Sequence, residues 1–462
     1  MLRRLLLFTL LVTSHIDANE MSDDLAGFDD IEVVDTPQMS SETQETLSPL
    51  TLSGQLKFKT SYGYKEHQVD GVEYSGFNQA QSSLYLQIDY KFAPNWSLRA
   101  SGNTFYDAVY SLHDKPYNQD VLDTYETQLR FDDVYIQGEL TQNLDLKLGR
   151  QIVVWGKSDS IRITDVINPL DNRLPAITDI KNLRLSTSMA KLDYYSGAWN
   201  LSAMAIFESR IFLEPAVRGE FFPVDAIFPN APDPFIELNE PKSSLETPQY
   251  AFAANGIFSG WDISFYGAHV YDSRWHLKGS LPNATREVSK IYMFGSAFNI
   301  VYESWLFKSE IAYLDSLKYN STANEKARLD ALIGFDYNGF KDTLISVEVA
   351  NRHLFSYEEQ MSGFTMGFVP DYTQEDEVQT AIRVNRSFSN DTIDVTILAN
   401  LLGHHWQYGG FIRASLEYEL FDSTLVEFGA IDYLKPAIVE EKPFSDSISN
   451  NDRIFAEISY SF

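Results

Sequence analysis

Strict alternation of apolar and polar residues over short stretches, interrupted by turns, most narrows what this chain can fold into. Leu52, Gly54, Leu56 and Phe58 alternate with Ser53, Gln55, Lys57 and Lys59. Leu84, Leu86, Ile88, Tyr90 and Phe92 alternate with Tyr85, Gln87, Asp89 and Lys91, and Ile412, Ala414, Leu416, Tyr418 and Leu420 with Arg413, Ser415, Glu417 and Glu419. A period of two belongs to β-strands, whose side chains point to opposite faces. A soluble sandwich would use the same pattern, with the apolar face against a second sheet. The breaks between strands separate the two. Short turns fall at Ala93-Pro94-Asn95, Thr141–Asn143, Ser196-Gly197, Ser259-Gly260, Asn338-Gly339, Ser389-Asn390 and Asp422-Ser423. Longer loops alternate with them, near 63–78, 108–124, 152–187, 210–246, 274–288, 316–326, 353–375 and 433–451, with 402–407 the short exception. Short turns at one end and long loops at the other build a transmembrane β-barrel. Counting between the breaks predicts an all-β, antiparallel outer-membrane barrel of about 18 strands, with about 16 the alternative, an even number being expected.

The last strand points the same way. From Arg453 the apolar positions are Ile454, Ala456, Ile458, Tyr460 and the terminal Phe462. An alternating strand ending on an aromatic residue is similar to the signal read by the machinery that inserts outer-membrane barrels, and Ile458, Tyr460 and Phe462 are its candidate residues. Trp96, Trp199, Trp261 and Trp305 each lie beside a short turn, where an interfacial aromatic belt belongs.

The start of the chain fits export. Arg3 and Arg4 precede the apolar run Leu5–Val12, so residues 1–18 read as a signal peptide. Residues 19–49 are acidic and turn-rich and are expected to be a periplasmic extension, leaving 50–462 for the barrel. The chain has no cysteine, which excludes a disulfide framework. Its formal charge of -29 argues against nucleic acid as a partner. No stretch after residue 18 reaches the roughly 20 apolar residues of a membrane-spanning helix.

One long loop departs from the pattern. After the strand Leu144–Gly149, the segment from Ile152 mixes charges of both signs with Trp155, Ile161, Ile163, Val166, Ile167 and Leu170, and closes on Asn168-Pro169. An external loop has little use for so many apolar residues. A segment folded into a polar cavity needs them on one side, with charges on the other. A barrel this wide must hold water, a plug or an inserted loop. Residues 149–173 are therefore expected to fold inward, with Lys157, Asp159, Arg162, Asp165, Asp171 and Arg173 at a constriction. Arg150, Gln151 and Trp155 complete the candidate pore loop. The residues leave open an ordered external loop instead.

The run Gly149-Arg150-Gln151, Trp155-Gly156, Ser158, Asn168-Pro169 and Asp171 resembles a family of Gram-negative outer-membrane proteins known as domain of unknown function 1302. Lys157 stands where that family usually has an acidic residue. The resemblance implies association with an RND-type (MMPL-like) inner-membrane exporter and a periplasmic lipid-binding protein, and hence traffic in lipid-like or hydrophobic small molecules. A Gly-Arg-Gln strand leading into an inserted loop is also similar to porins, so a passive cation-preferring porin for small polar solutes stays open. So does a non-transport adhesin or envelope scaffold. An enzyme is not expected, since no Gly-x-Ser-x-Gly elbow is present. His404-His405 lacks partners at metal-ligand spacing. No cofactor is implied. Beyond those proteins, the implied partners are outer-membrane lipid with lipopolysaccharide, and the barrel-assembly machinery.

Overall fold

The computed structural model describes residues 49–178, 182–228, 231–243, 245–246, 248–272, 274–279, 283–363 and 371–462. The signal peptide at 1–18 and nearly all of the extension at 19–49 lie outside these residues. The alternating segments form one closed antiparallel sheet of 18 strands. In chain order these are β1 Leu50–Gly63, β2 Gly76–Ala93, β3 Trp96–Asp107, β4 Thr127–Thr141, β5 Leu144–Gln151 and β6 Thr187–Ser196. There follow β7 Trp199–Ile206, β8 Gln249–Phe258, β9 Trp261–Tyr271, β10 Lys290–Tyr302, β11 Trp305–Leu317 and β12 Lys326–Phe340. The last six are β13 Thr343–Leu354, β14 Asp376–Phe388, β15 Ile393–Leu402, β16 Gly410–Phe421, β17 Thr424–Leu434 and β18 Arg453–Ser461.

Each strand pairs with its neighbours in sequence, and β1 pairs with β18 to close the ring. Closure matters because a spanning sheet in lipid can leave no backbone edge unpaired. Phe462 completes the seam: its N–H donates to the Gly54 carbonyl at 2.9 Å, and its carbonyl accepts the Gly54 N–H at 2.8 Å. A Cβ on Gly54 would come within 2.5 Å of the Phe462 ring, so the glycine makes room for that aromatic residue. Ile458, Tyr460 and Phe462 all lie on the outer face, 43–49 % exposed.

Outward residues are large and apolar: Leu52, Leu56, Phe58, Ile88, Phe252, Phe294, Ile333 and Ile412 are all exposed. Trp96, Trp199, Trp261 and Trp305 are the first residues of β3, β7, β9 and β11, all at the short-turn end. Phe258 stacks on Trp261 at 4.2 Å, and Trp305 packs on Tyr337 at 4.4 Å.

Two sequence expectations need correction. Asn338-Gly339 is not a turn but lies inside β12, where the register shifts between Tyr337 and Phe340; the turn follows at Lys341-Asp342, with Asp342 at φ 51°. A bulge and a turn call for the same residue types, which is why the sequence misleads here. The inner face is also not polar throughout. On β6–β14 it carries Met189, Met204, Ala251, Ala253, Tyr266, Ala268, Met293, Ala312, Leu332, Ala350 and Ala381, all buried. That half of the wall is covered from inside.

Candidate functional site: a luminal loop held by wall carboxylates

The cover is the β5–β6 loop, residues 152–186. It turns inward at the end of β5 and packs Val153, Trp155, Ile161, Ile163 and Ile167 into one apolar cluster with the β6–β14 wall. Burying each such side chain is worth about 1.5–3 kcal/mol, which explains why this loop is apolar where an external one would not be. Trp155 stacks on Tyr266 of β9 with ring centroids 4.7 Å apart.

Two wall carboxylates fix the loop backbone. Glu310 on β11 accepts the N–H groups of Lys157 and Ser158 at 2.6 and 2.8 Å on Oε1. Its Oε2 accepts the N–H and hydroxyl of Thr164 at 3.2 and 2.8 Å. Glu348 on β13 accepts the N–H groups of Asp159, Ser160 and Ile161 at 2.7, 3.1 and 3.1 Å. Both glutamates are buried, 3 % and 1 % exposed. A buried carboxylate is costly unless hydrogen-bonded, and here the consecutive loop N–H groups supply the bonds, as in an anion nest. Gly156 makes the turn possible, with φ at +89°.

The loop charges point to the same wall. Lys157 Nζ lies 2.6 Å from Asp262 of β9. Asp159 pairs with Lys308 of β11, whose Nζ also lies 2.7 Å from Asp336 of β12. Arg162 and Arg184 both reach Asp165, at 3.1 and 2.8 Å, inside the loop itself. Burial draws the Arg162 guanidinium below its ordinary pKa. These four candidate residues thus tie the loop to the wall and to itself, and Asp159 also lines the larger luminal cavity.

The root of the loop is tied by Asn168, which is 1 % exposed. Its carbonyl oxygen accepts the Val153 N–H at 2.7 Å, and its amide donates to the carbonyls of Gln151 and Leu185 at 3.2 and 2.8 Å. Gln151 is fully buried beside it and donates to the carbonyls of Lys147, Gly149 and Met189. Arg150 stands apart on the outer side of the wall, bound to Glu208 at 2.5 Å.

Asp171 and Arg173 form a second group nearer β3 and β4. Arg173 binds Asp171 at 2.6 and 2.8 Å, and Arg130 of β4 reaches the same carboxylate at 3.2 Å. Burial pushes the Asp171 carboxyl up, but the Arg173 hydrogen bonds and the charges of Arg173 and Arg130 outweigh it and hold it below the usual carboxylate range.

Sequence reasoning missed a second insert, the β7–β8 loop at 207–248. It pairs with the first, Asn172 donating to Leu213 and Leu213 to Leu170, and then crosses to the far wall. Glu220 there accepts from Arg453 of β18 at 2.8 Å in a buried pair, and Phe221 packs fully buried against Tyr433 of β17. The aromatic run Phe221-Phe222 was the available signal. Between the two inserts and the β13–β14 and β17–β18 loops lies a cavity of about 800 Å³. A smaller one of about 280 Å³ lies between the first loop and the inner face of β1–β4. His404 and His405 sit in the exposed β15–β16 loop.

A closed 18-strand barrel with an inserted loop defines an outer-membrane-type channel architecture. The chain belongs to the family described as Protein of unknown function (DUF1302), whose model matches residues 44–462. Solved structures with a similar fold include Acinetobacter baumannii OccAB3, at 11 % identity and TM-score 0.53, covering 89 % of this chain and 99 % of that one. Acinetobacter baumannii OccAB1 is similar at 10 % identity and TM-score 0.52, covering 89 % and 96 %. The outer membrane protein opdK from Pseudomonas aeruginosa is similar at 10 % identity and TM-score 0.50, covering 89 % and 99 %. Comparison with curated proteins gives no match.

Proposed function

We propose that this protein is a non-enzymatic channel of the Gram-negative outer membrane that carries lipid-like or hydrophobic small molecules. The observation that carries the reading is the lining of the 800 Å³ cavity. Phe212, Phe222, Phe228, Phe411, Trp275 and Tyr319 form its apolar surface, and charges of both signs border it, among them Arg274, Lys318, Glu214 and Asp371. Ligand sites for apolar bodies are concave and aromatic with a few placed polar groups. That combination suits a molecule with an apolar body and a polar or charged head. The family resemblance supports a partnership with an RND-type inner-membrane exporter and a periplasmic lipid-binding protein. Lipopolysaccharide would surround the long-loop end.

The test is ion current through the mature protein in planar bilayers, titrated with palmitate and, separately, with glucose and arginine. The expected result is a saturable block by palmitate and none by the polar solutes. Size-graded flux of sugars through vesicles without palmitate block would overturn the reading in favour of a passive porin. Absence of both current and palmitate binding would leave a structural or adhesive barrel.

A further inference from the structure

The barrel wall is not closed evenly. β5, β6 and β7 have 8, 10 and 8 residues, whereas β4 has 15. β4 pairs with β3 back to Thr127, but with β5 only from Val134 onward. Among the described residues, no strand lies against Thr127–Asp133 on the β5 side. Above β5 the chain has turned inward to form the luminal loop, and it rejoins the wall only at β6.

Side chains close this stretch where a backbone ladder closes the rest. Arg150 donates from Nη2 and Nε to Glu208, at 2.5 and 3.2 Å, and from Nη1 to the Phe131 carbonyl at 3.2 Å. It thus spans from the β7–β8 loop to the bare edge of β4. Ser186 donates to Asp133 at 2.5 Å, and Arg210 donates to the Ser186 carbonyl at 2.7 Å. Outside this edge, Leu129 and Phe131 are 80 % and 67 % exposed and apolar. Inside it, Gln128 and Arg130 on the other face of β4 line the 280 Å³ cavity, together with Leu174 and Leu183 of the luminal loop. The outer apolar surface and the inner cavity are thus separated by the thickness of one strand edge.

Edge groups of a sheet in lipid must be satisfied, and side chains satisfy them reversibly. A ladder can be parted only by breaking the sheet; the Arg150 and Ser186 bridges can be parted by rotating side chains. We propose that this stretch is a side port, through which a lipid acyl chain passes between the bilayer and the luminal cavity, latched by Arg150–Glu208 and Asp133–Ser186. The proposal rests on the apolar-cargo reading above and adds the route.

The experiment places the mature protein in phosphatidylcholine vesicles containing phosphatidylcholine with a photoreactive diazirine in its tail. The chain has no native cysteine, so the double variant Asp133→Cys, Ser186→Cys staples the port when oxidised and frees it when reduced. The expected result is tail adducts on luminal Leu174 and Leu183 in the reduced protein, falling several-fold on oxidation and returning on reduction. Adducts on outward-facing Leu148 should not change. Arg150→Leu, which removes one latch without a cross-link, should raise the luminal adducts. Luminal adducts absent from both reduced protein and Arg150→Leu, or unaffected by oxidation, would overturn the port. Palmitate block of the ion current reads the cargo hypothesis separately: block without luminal adducts retires the port alone, and neither signal retires both.

Discussion

The carboxylate of Glu310 lies directly against Gly156: a Cβ on that glycine would sit 2.7 and 2.8 Å from its two oxygens. The same carboxylate binds the N–H groups of the next two residues. Space and backbone angle therefore both require glycine there, since φ is +89°. Gly156→Ala should cost the loop about 1–3 kcal/mol from the backbone angle alone, before any clash. The expected outcome is a larger and noisier single-channel conductance in a barrel that still migrates as a folded band before heating. Conductance identical to the parent would mean that Glu310 does not clamp the loop.

The two glutamates act on successive stretches of one loop, so removing both should exceed the sum of removing either. Each leaves three backbone N–H groups without an acceptor, and a buried unsatisfied donor costs about 1–3 kcal/mol. Glu310→Ala or Glu348→Ala alone should leave the loop seated by its apolar residues. The double variant should release it, and trypsin should then cut at Lys157 in the folded barrel. Resistance to trypsin in the double variant would show that apolar packing alone seats the loop.

Asn168 ties both ends of the loop to each other through three backbone contacts. Asn168→Ala should destabilise the loop root by about 1–3 kcal/mol, freeing the Val153 amide and taking a side-chain donor from the carbonyls of Gln151 and Leu185. Hydrogen exchange of the Val153 amide is the measurement. Exchange as slow as in the parent would contradict the role.

Much of this was legible in the sequence. The alternation of residues such as Leu52 to Lys59 placed strands on a two-residue period, and the apolar residues Ile161, Ile163 and Ile167 marked a loop that had to be covered. What holds the loop was not legible. Glu310 and Glu348 look like any polar residue on an alternating strand, and their loop partners lie more than 140 residues away in sequence. The partners of the loop charges were hidden for the same reason: nothing near Lys157 and Asp159 in sequence points to Asp262 and Lys308. The second insert escaped notice because its anchor, Arg453, sits in a strand that already made sense as the closing one.

Both inserts are tied to the wall through ionised carboxylates, and this gives them a pH limit. Burial pushes Glu208 up, but the hydrogen bonds from Ser188 and the Arg150 charge outweigh it, so its pKa lies below the ordinary glutamate value. Asp171 is lowered in the same sense by Arg173 and Arg130. A carboxyl whose folded pKa is depressed contributes stability above its unfolded value, about 4.3 for Glu and about 3.9 for Asp, and loses it as pH falls through the lowered folded value. The midpoint temperature for loss of the compact, heat-modifiable form should therefore be level from about pH 5 upward and drop below about pH 4. Glu208→Gln keeps the shape but not the charge. It should lower the midpoint at neutral pH, because Arg150 loses its counter-charge, and flatten the fall on the acid side. An acid-side fall as steep in Glu208→Gln as in the parent would assign the pH dependence to other carboxylates.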